Sequence, residues 1–104
     1  MTIQINTDKS LSVHKAFEAQ LGSLLSDELS RFSERITRLE LHLSDENGSK
    51  QGLKDKRCMI EARIEGRQPI AVTDRAGDYE LAVSGAIEKL KASLDTIAGK
   101  LKHY

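Results

Sequence analysis

A single cysteine, Cys58, stands in this chain of 104 residues, so no internal disulfide can form. Proline also occurs once, at Pro69, and no Pro/Gly/Ser-rich linker divides the chain in two. One domain, residues 1–104, with a modest core is therefore expected. Charge of one sign is missing too: Lys plus Arg is 16 and Asp plus Glu is 16, so no overall field draws the chain towards nucleic acid or an acidic membrane. Any contact with RNA must rest on local patches. The start, MTIQINTDKS, lacks the basic-then-apolar layout of a secretion signal, and no apolar run approaches membrane-spanning length. These absences point to a soluble cytoplasmic protein. Repeats and low-complexity tracts are missing as well.

What is present is periodic. TIQIN alternates Ile3 and Ile5 with polar residues, which predicts a short strand covered on one face. Ser12 suits a helix start, and Phe17, Leu21, Leu24, Leu25, Leu29 and Phe32 follow at helical intervals, predicting a helix that ends near Ser33. Gly22 inside it costs roughly 1 kcal/mol against alanine, so packing must hold the helix. From Ile36 the period shortens: Leu39, Leu41 and Leu43 alternate with Arg38, Glu40 and His42. After the polar SDENGSKQGLKD, Cys58, Ile60, Ala62 and Ile64 alternate with Arg57, Met59, Glu61, Arg63 and Glu65 as a third strand. Ile70 and Val72 mark a short fourth strand behind a tight GRQ turn, with Pro69 at its start where the missing amide does little harm. Asp78 then caps a second helix whose apolar stripe runs through Val83, Ile87, Leu90, Leu94, Ile97 and Leu101.

The order is β-α-β-β-β-α. A strand, helix, strand unit favours a parallel pair, and the short turns afterwards favour antiparallel hairpins. The expected fold is α+β and two-layer, with two helices packed on one face of a four-stranded mixed sheet.

Chemistry is poorly represented. His14, His42 and His103 show no metal-ligand spacing, and DENG opens no calcium loop, because Lys56 stands where the closing glutamate belongs. Neither a Gly-rich phosphate loop nor a nucleophile elbow is present. Cys58 shares the inward parity of its strand and reads as a small apolar residue. Nothing supports an enzyme, a cofactor, a metal or a small-molecule substrate. Basic residues gather at Lys54, Lys56 and Arg57, continue through Arg63 and Arg67, and decorate the second helix at Lys89, Lys91, Lys100 and Lys102. Asp55, Glu61, Glu65, Glu88 and Asp95 are interleaved with them, as on an ordinary mixed surface.

Three stretches, IQINT, RFSERITRLELHL and GDYELAVSGAIEKLKASL, together cover much of the chain. In the last, Asp78, Ala82, Val83, Gly85, Ile87, Lys89, Leu90 and Leu94 stand in a pattern that resembles the ribosome hibernation promoting factor family, also called ribosome-associated translation inhibitors, ribosomal subunit interface proteins or sigma-54 modulation proteins. The resemblance implies the same two-layer fold. It also implies binding to the small ribosomal subunit, its rRNA and ribosomal proteins, in the channel for messenger and transfer RNA, which holds ribosomes idle in stationary phase or stress. Long members carry a further C-terminal domain, so a chain ending at Tyr104 resembles a short form. Lys89 matches a basic position of the family directly, and Lys91, Lys56, Arg57, Arg63 and Lys100 join it as candidate phosphate contacts.

The departures reduce the family's basic face. Glu80 stands at the family's tyrosine with Tyr79 one place earlier, Ala92, Thr96 and Ala98 occupy positions that are typically basic, and Glu28 replaces a lysine. They keep a rival reading open: a protein-interaction or homodimerisation module on the same fold that has lost strong ribosome binding, using the end of the second helix or an open sheet edge. The loop in SDENGSKQGLKD is also longer than the family's usual one. Being polar and without core parity, residues 45–54 are expected to accept a shorter turn with little loss of thermal stability; a shortened variant that fails to fold would show that they pack as structure.

Overall fold

The computed structural model describes residues 1–7, 15–45 and 56–102, with side chains as far as Ile97 in the last helix. The elements are β1 (Thr2–Thr7), α1 (Lys15–Glu28), a 3-10 turn at Ser30–Phe32, β2 (Ile36–Asp45), β3 (Lys56–Ile64), β4 (Ile70–Ala76) and α2 (Tyr79–Lys102). They form one four-stranded sheet in the order β1-β2-β3-β4. β1 runs parallel to β2, and the other pairs are antiparallel. The helices share one face of the sheet, α2 lying over β4 and β3 and α1 beside β1. The architecture is the α+β arrangement that the periodicities predict.

Parity accounts for the layers. Leu39, Leu41 and Leu43 of β2 and Cys58, Ile60, Ala62 and Ile64 of β3 are buried towards the helices. One irregularity makes this possible. Ile36 and Leu39 are three residues apart, which a regular strand would send to opposite faces. Ile36 pairs with Ile64 and Arg38 with Arg63, so Thr37 is an extra residue in β2, and its hydroxyl donates to the Arg63 carbonyl at 3.2 Å. The bulge resets the parity so that both side chains reach the core.

α1 is shorter than its spacing predicts. It ends at Glu28, and the chain tightens into the 3-10 turn that still buries Leu29 and Phe32. The apolar positions are right although the helix is not continuous, because a 3-10 turn also returns a side chain to one face every three residues. Ser12 lies outside the described residues. β4 is longer than expected, reaching Ala76. A positive φ of 74° at Gly66 forms the turn before it, a conformation that glycine adopts without a Cβ penalty. Asp78 caps α2 as predicted, its Oδ1 accepting from the Leu81 amide at 2.8 Å. Of residues 45–54, Asp45 is the last residue of β2, where its carboxylate holds Lys56 at 3.0 Å, and the remainder lies outside the described residues.

A second close fit joins α2 to β4. Asp74 shares the inward parity of β4 and is the cross-strand neighbour of Cys58. A Cβ built on Gly85 would stand 1.7 Å from Asp74 Oδ2 and 2.7 Å from its Cγ, so the carboxylate occupies space that only glycine leaves. Two terms compete in Gly85→Ala: a helix-propensity gain of about 1 kcal/mol and an overpacking cost of about 1–3 kcal/mol. The short aspartate cannot swing far, so the clash wins. Urea unfolding of Gly85→Ala should show a net loss of about 1 kcal/mol. In an Asp74→Ala background the same substitution should become stabilising; a gain in both backgrounds would refute the fit.

Candidate functional site

Strand parity separates the basic candidates before any partner is considered. Lys56 shares the parity of Cys58 and stands on the helix side, its ammonium 5.9 Å from the Tyr79 ring centroid as well as beside Asp45. Arg57 and Arg63 have the opposite parity and belong to the helix-free face, where Arg57 is the cross-strand neighbour of Arg75 and Arg63 that of Arg38. Between these two ends lie Glu40 and Glu61, themselves cross-strand neighbours. Arg63 Nε is 3.6 Å from Glu61, while Arg38 is hydrogen-bonded to Gln4 and 3.8 Å from Glu40. That face is therefore basic at its ends and acidic in its middle.

The lysines of α2 diverge as well. Lys89 reaches β4, donating to the Thr73 carbonyl at 2.7 Å and lying 3.1 Å from Asp74 Oδ1. Lys91 leans to the opposite flank, where its ammonium is 2.7 Å from Glu28 Oε2 and 3.7 Å from Glu88. Its hydrogen bond to Glu28 raises its pKa above the ordinary lysine value. Two residues along a helix lie about 200° apart, so their separation follows from the helix itself. The side chain of Lys100 lies outside the described residues. Lys56 and Lys89 thus stand on the β3–β4 side of the helix layer, Lys91 on the α1 side, and Arg57 and Arg63 behind the sheet. They do not make one continuous basic face.

No sequence pattern singles out Arg31. It sits in the 3-10 turn, 2.7 Å from Asp95 of α2, with its guanidinium 4.5 Å above the Phe32 ring. No local rule pairs residues 31 and 95; only the neighbouring buried Phe32 hints that Arg31 is held in place. Gly85 is a clearer signal, since a glycine inside a helix asks for a packing reason. Beyond these cations, an open cleft of about 530 Å³ at one end of the sheet has Glu34, Arg35, Glu65 and Arg67 around Ile64 and Ile97. Among the described residues no three His, Cys, Asp or Glu side chains converge, and no described helix is long and apolar enough to cross a membrane. The chemistry available at the basic residues is reversible ionic contact with an anionic partner.

The sequence profile of the family described as sigma 54 modulation protein / S30EA ribosomal protein matches residues 3–102. No curated protein matches. Among solved structures, the N-terminal domain of Protein Y from Thermus thermophilus is 18% identical and superimposes with a TM-score of 0.73, over 93% of this chain and 99% of that one. A ribosomal subunit interface protein from Coxiella burnetii, also 18% identical, gives a TM-score of 0.72 over 95% of this chain and 99% of its own. These two likenesses concern the fold.

Cys58 stands apart from the cations. It is fully buried, and burial with the adjacent Asp74 carboxylate pushes its thiol from 9.0 up to about 12. At neutral pH it stays protonated and unreactive. Bulky thiol reagents should therefore label native protein far more slowly than urea-unfolded protein; fast native labelling would contradict the burial. Linkage adds a sign. Above pH 9.0 the unfolded chain has released this proton and the folded chain has not, so Cys58 should erode stability between pH 9.0 and about 12, by at most about 1.4 kcal/mol per pH unit. Cys58→Ala should flatten that part of the urea-midpoint profile relative to wild type.

Proposed function

We propose that this chain, which belongs to the sigma 54 modulation protein / S30EA ribosomal protein family, binds the small ribosomal subunit and blocks translation by occupancy in stationary phase or stress. The observation that carries the reading is the family match across residues 3–102, nearly the whole of the chain. Residues 1–104 act as one ribosome-binding domain of the cytoplasm, without catalysis. A rigid two-layer body suits steric blockade, and Lys or Arg side chains supply contacts to rRNA phosphates. Lys89 is the first candidate, followed by Lys91, Lys56, Arg57, Arg63 and Lys100. Because Lys89 and Lys91 lie on opposite flanks of α2, the two identify which flank meets the RNA.

A rival reading has a specific observation behind it. Lys56, Arg63, Lys89 and Lys91 each lie within 4.0 Å of a carboxylate of their own chain, and the charge is scattered over both faces. A module that binds protein, or a second copy through a sheet edge, would need no free basic face. The exposed large apolar side chains among the described residues are Met1, ahead of β1, and Leu81 in α2, and two such side chains do not by themselves build an interface.

Co-sedimentation with ribosomes from growing and starved cells separates the readings. Wild type should travel with small subunits and leave them as salt rises. Lys89→Ala combined with Lys91→Ala should weaken the association and reduce the logarithmic salt slope by about 0.7–0.9 for each lysine that had neutralised a phosphate. Thermal stability should stay close to that of wild type, because exposed ion pairs contribute little. If the double variant pellets as wild type does, α2 is not the RNA face; if wild type never co-sediments, the protein-interaction reading replaces this one.

A further inference from the structure

We propose that the seam between α1 and α2 is a phosphate-binding site masked by the protein's own carboxylates: Lys91 and Arg31 are its ligands, and Glu28, Glu88 and Asp95 compete with RNA for them. The proposal deepens the ribosome-binding reading and rests on it. Five charged side chains meet along the seam. Lys91 is 2.7 Å from Glu28 and 3.7 Å from Glu88, and Arg31 is 2.7 Å from Asp95. Two cations thus face three carboxylates, a local excess of one negative charge that repels a polyanion until a carboxylate yields.

Glu28 is the least well placed of the five. It ends α1, where the helix dipole is negative, and α1 has no basic residue in its last turn. Its carboxylate is satisfied from another element, by Lys91 of α2. The competition is reversible because the anions are wet: Glu28, Glu88 and Asp95 side chains are 42%, 72% and 51% exposed. Exposed pairs of this kind contribute little, so an RNA phosphate arriving with its own counterion release can replace them. The stacking of Arg31 on Phe32 keeps its guanidinium in place while the partner exchanges.

Binding of the full chain to purified small ribosomal subunits, followed over a salt series, tests the mask. Glu28→Gln should tighten binding about threefold and steepen the logarithmic salt slope by about 0.7–0.9, the share of one further neutralised phosphate. Glu88→Gln, at a more exposed position, should act in the same direction, and urea unfolding confirms that both variants are folded. Lys91→Ala should erase the gain from Glu28→Gln. Glu80→Gln, which changes net charge equally at a position that holds no cation among the described residues, should move affinity less. If wild type binds and Glu28→Gln binds identically, or if the gain survives Lys91→Ala or is matched by Glu80→Gln, the mask is refuted while ribosome binding stands. If neither protein binds, the ribosome-binding reading falls and the mask falls with it.

Discussion

The central pair of strands, β2 and β3, has to present an unbroken apolar surface to two helices, and every other feature of the molecule answers to that requirement. Seven inward side chains, from Leu39 to Leu43 and from Cys58 to Ile64, form the floor of the core. A Leu→Ala change in such a floor typically costs about 2–5 kcal/mol, a large share of the marginal stability of a domain this size. The Thr37 bulge lets Ile36 join the floor. Upper and lower layers then have no freedom of register: α2 must lay Val83, Ile87, Leu90 and Leu94 over β3 and β4, and α1 must supply Leu21 and Leu25. Even the polar Asp74 fits only because Gly85 leaves it room.

The same alternation decides where charge goes. Residues between the inward ones are sent behind the sheet, so Arg57 and Arg63 are separated from the lysines of α2 by a whole layer. The helix then divides its own lysines, tying Lys89 to the edge of β4 and Lys91 to the end of α1. A neutral chain can still present basic groups to RNA, provided each can exchange an internal carboxylate for a phosphate. Binding strength then depends on how firmly the protein holds its own cations as much as on how many it has.

The order of the six main elements, the mixed sheet and nearly all core positions were legible in the sequence, because apolar periodicities of two and 3.6 report which face of a strand or helix is dry. Boundaries were less so. The end of α1 and the 3-10 turn that follows bury the same leucine and phenylalanine a continuous helix would, so the pattern could not distinguish them. The bulge was visible only as a missing step between Ile36 and Leu39. For the basic candidates, residue type was legible and grouping was not.

That difference has one physical reason. Hydrophobic burial acts on each segment through local periodicity, so the amino-acid order alone determined the layers, the inward face of every strand and the burial of Cys58. Ion pairs are made by side-chain tips several ångströms from their backbones, and Arg31–Asp95 and Lys91–Glu28 join residues 64 and 63 positions apart. No local rule brings such residues together. Only the packing of α2 beside α1 and over β4 decided which carboxylate each cation would meet.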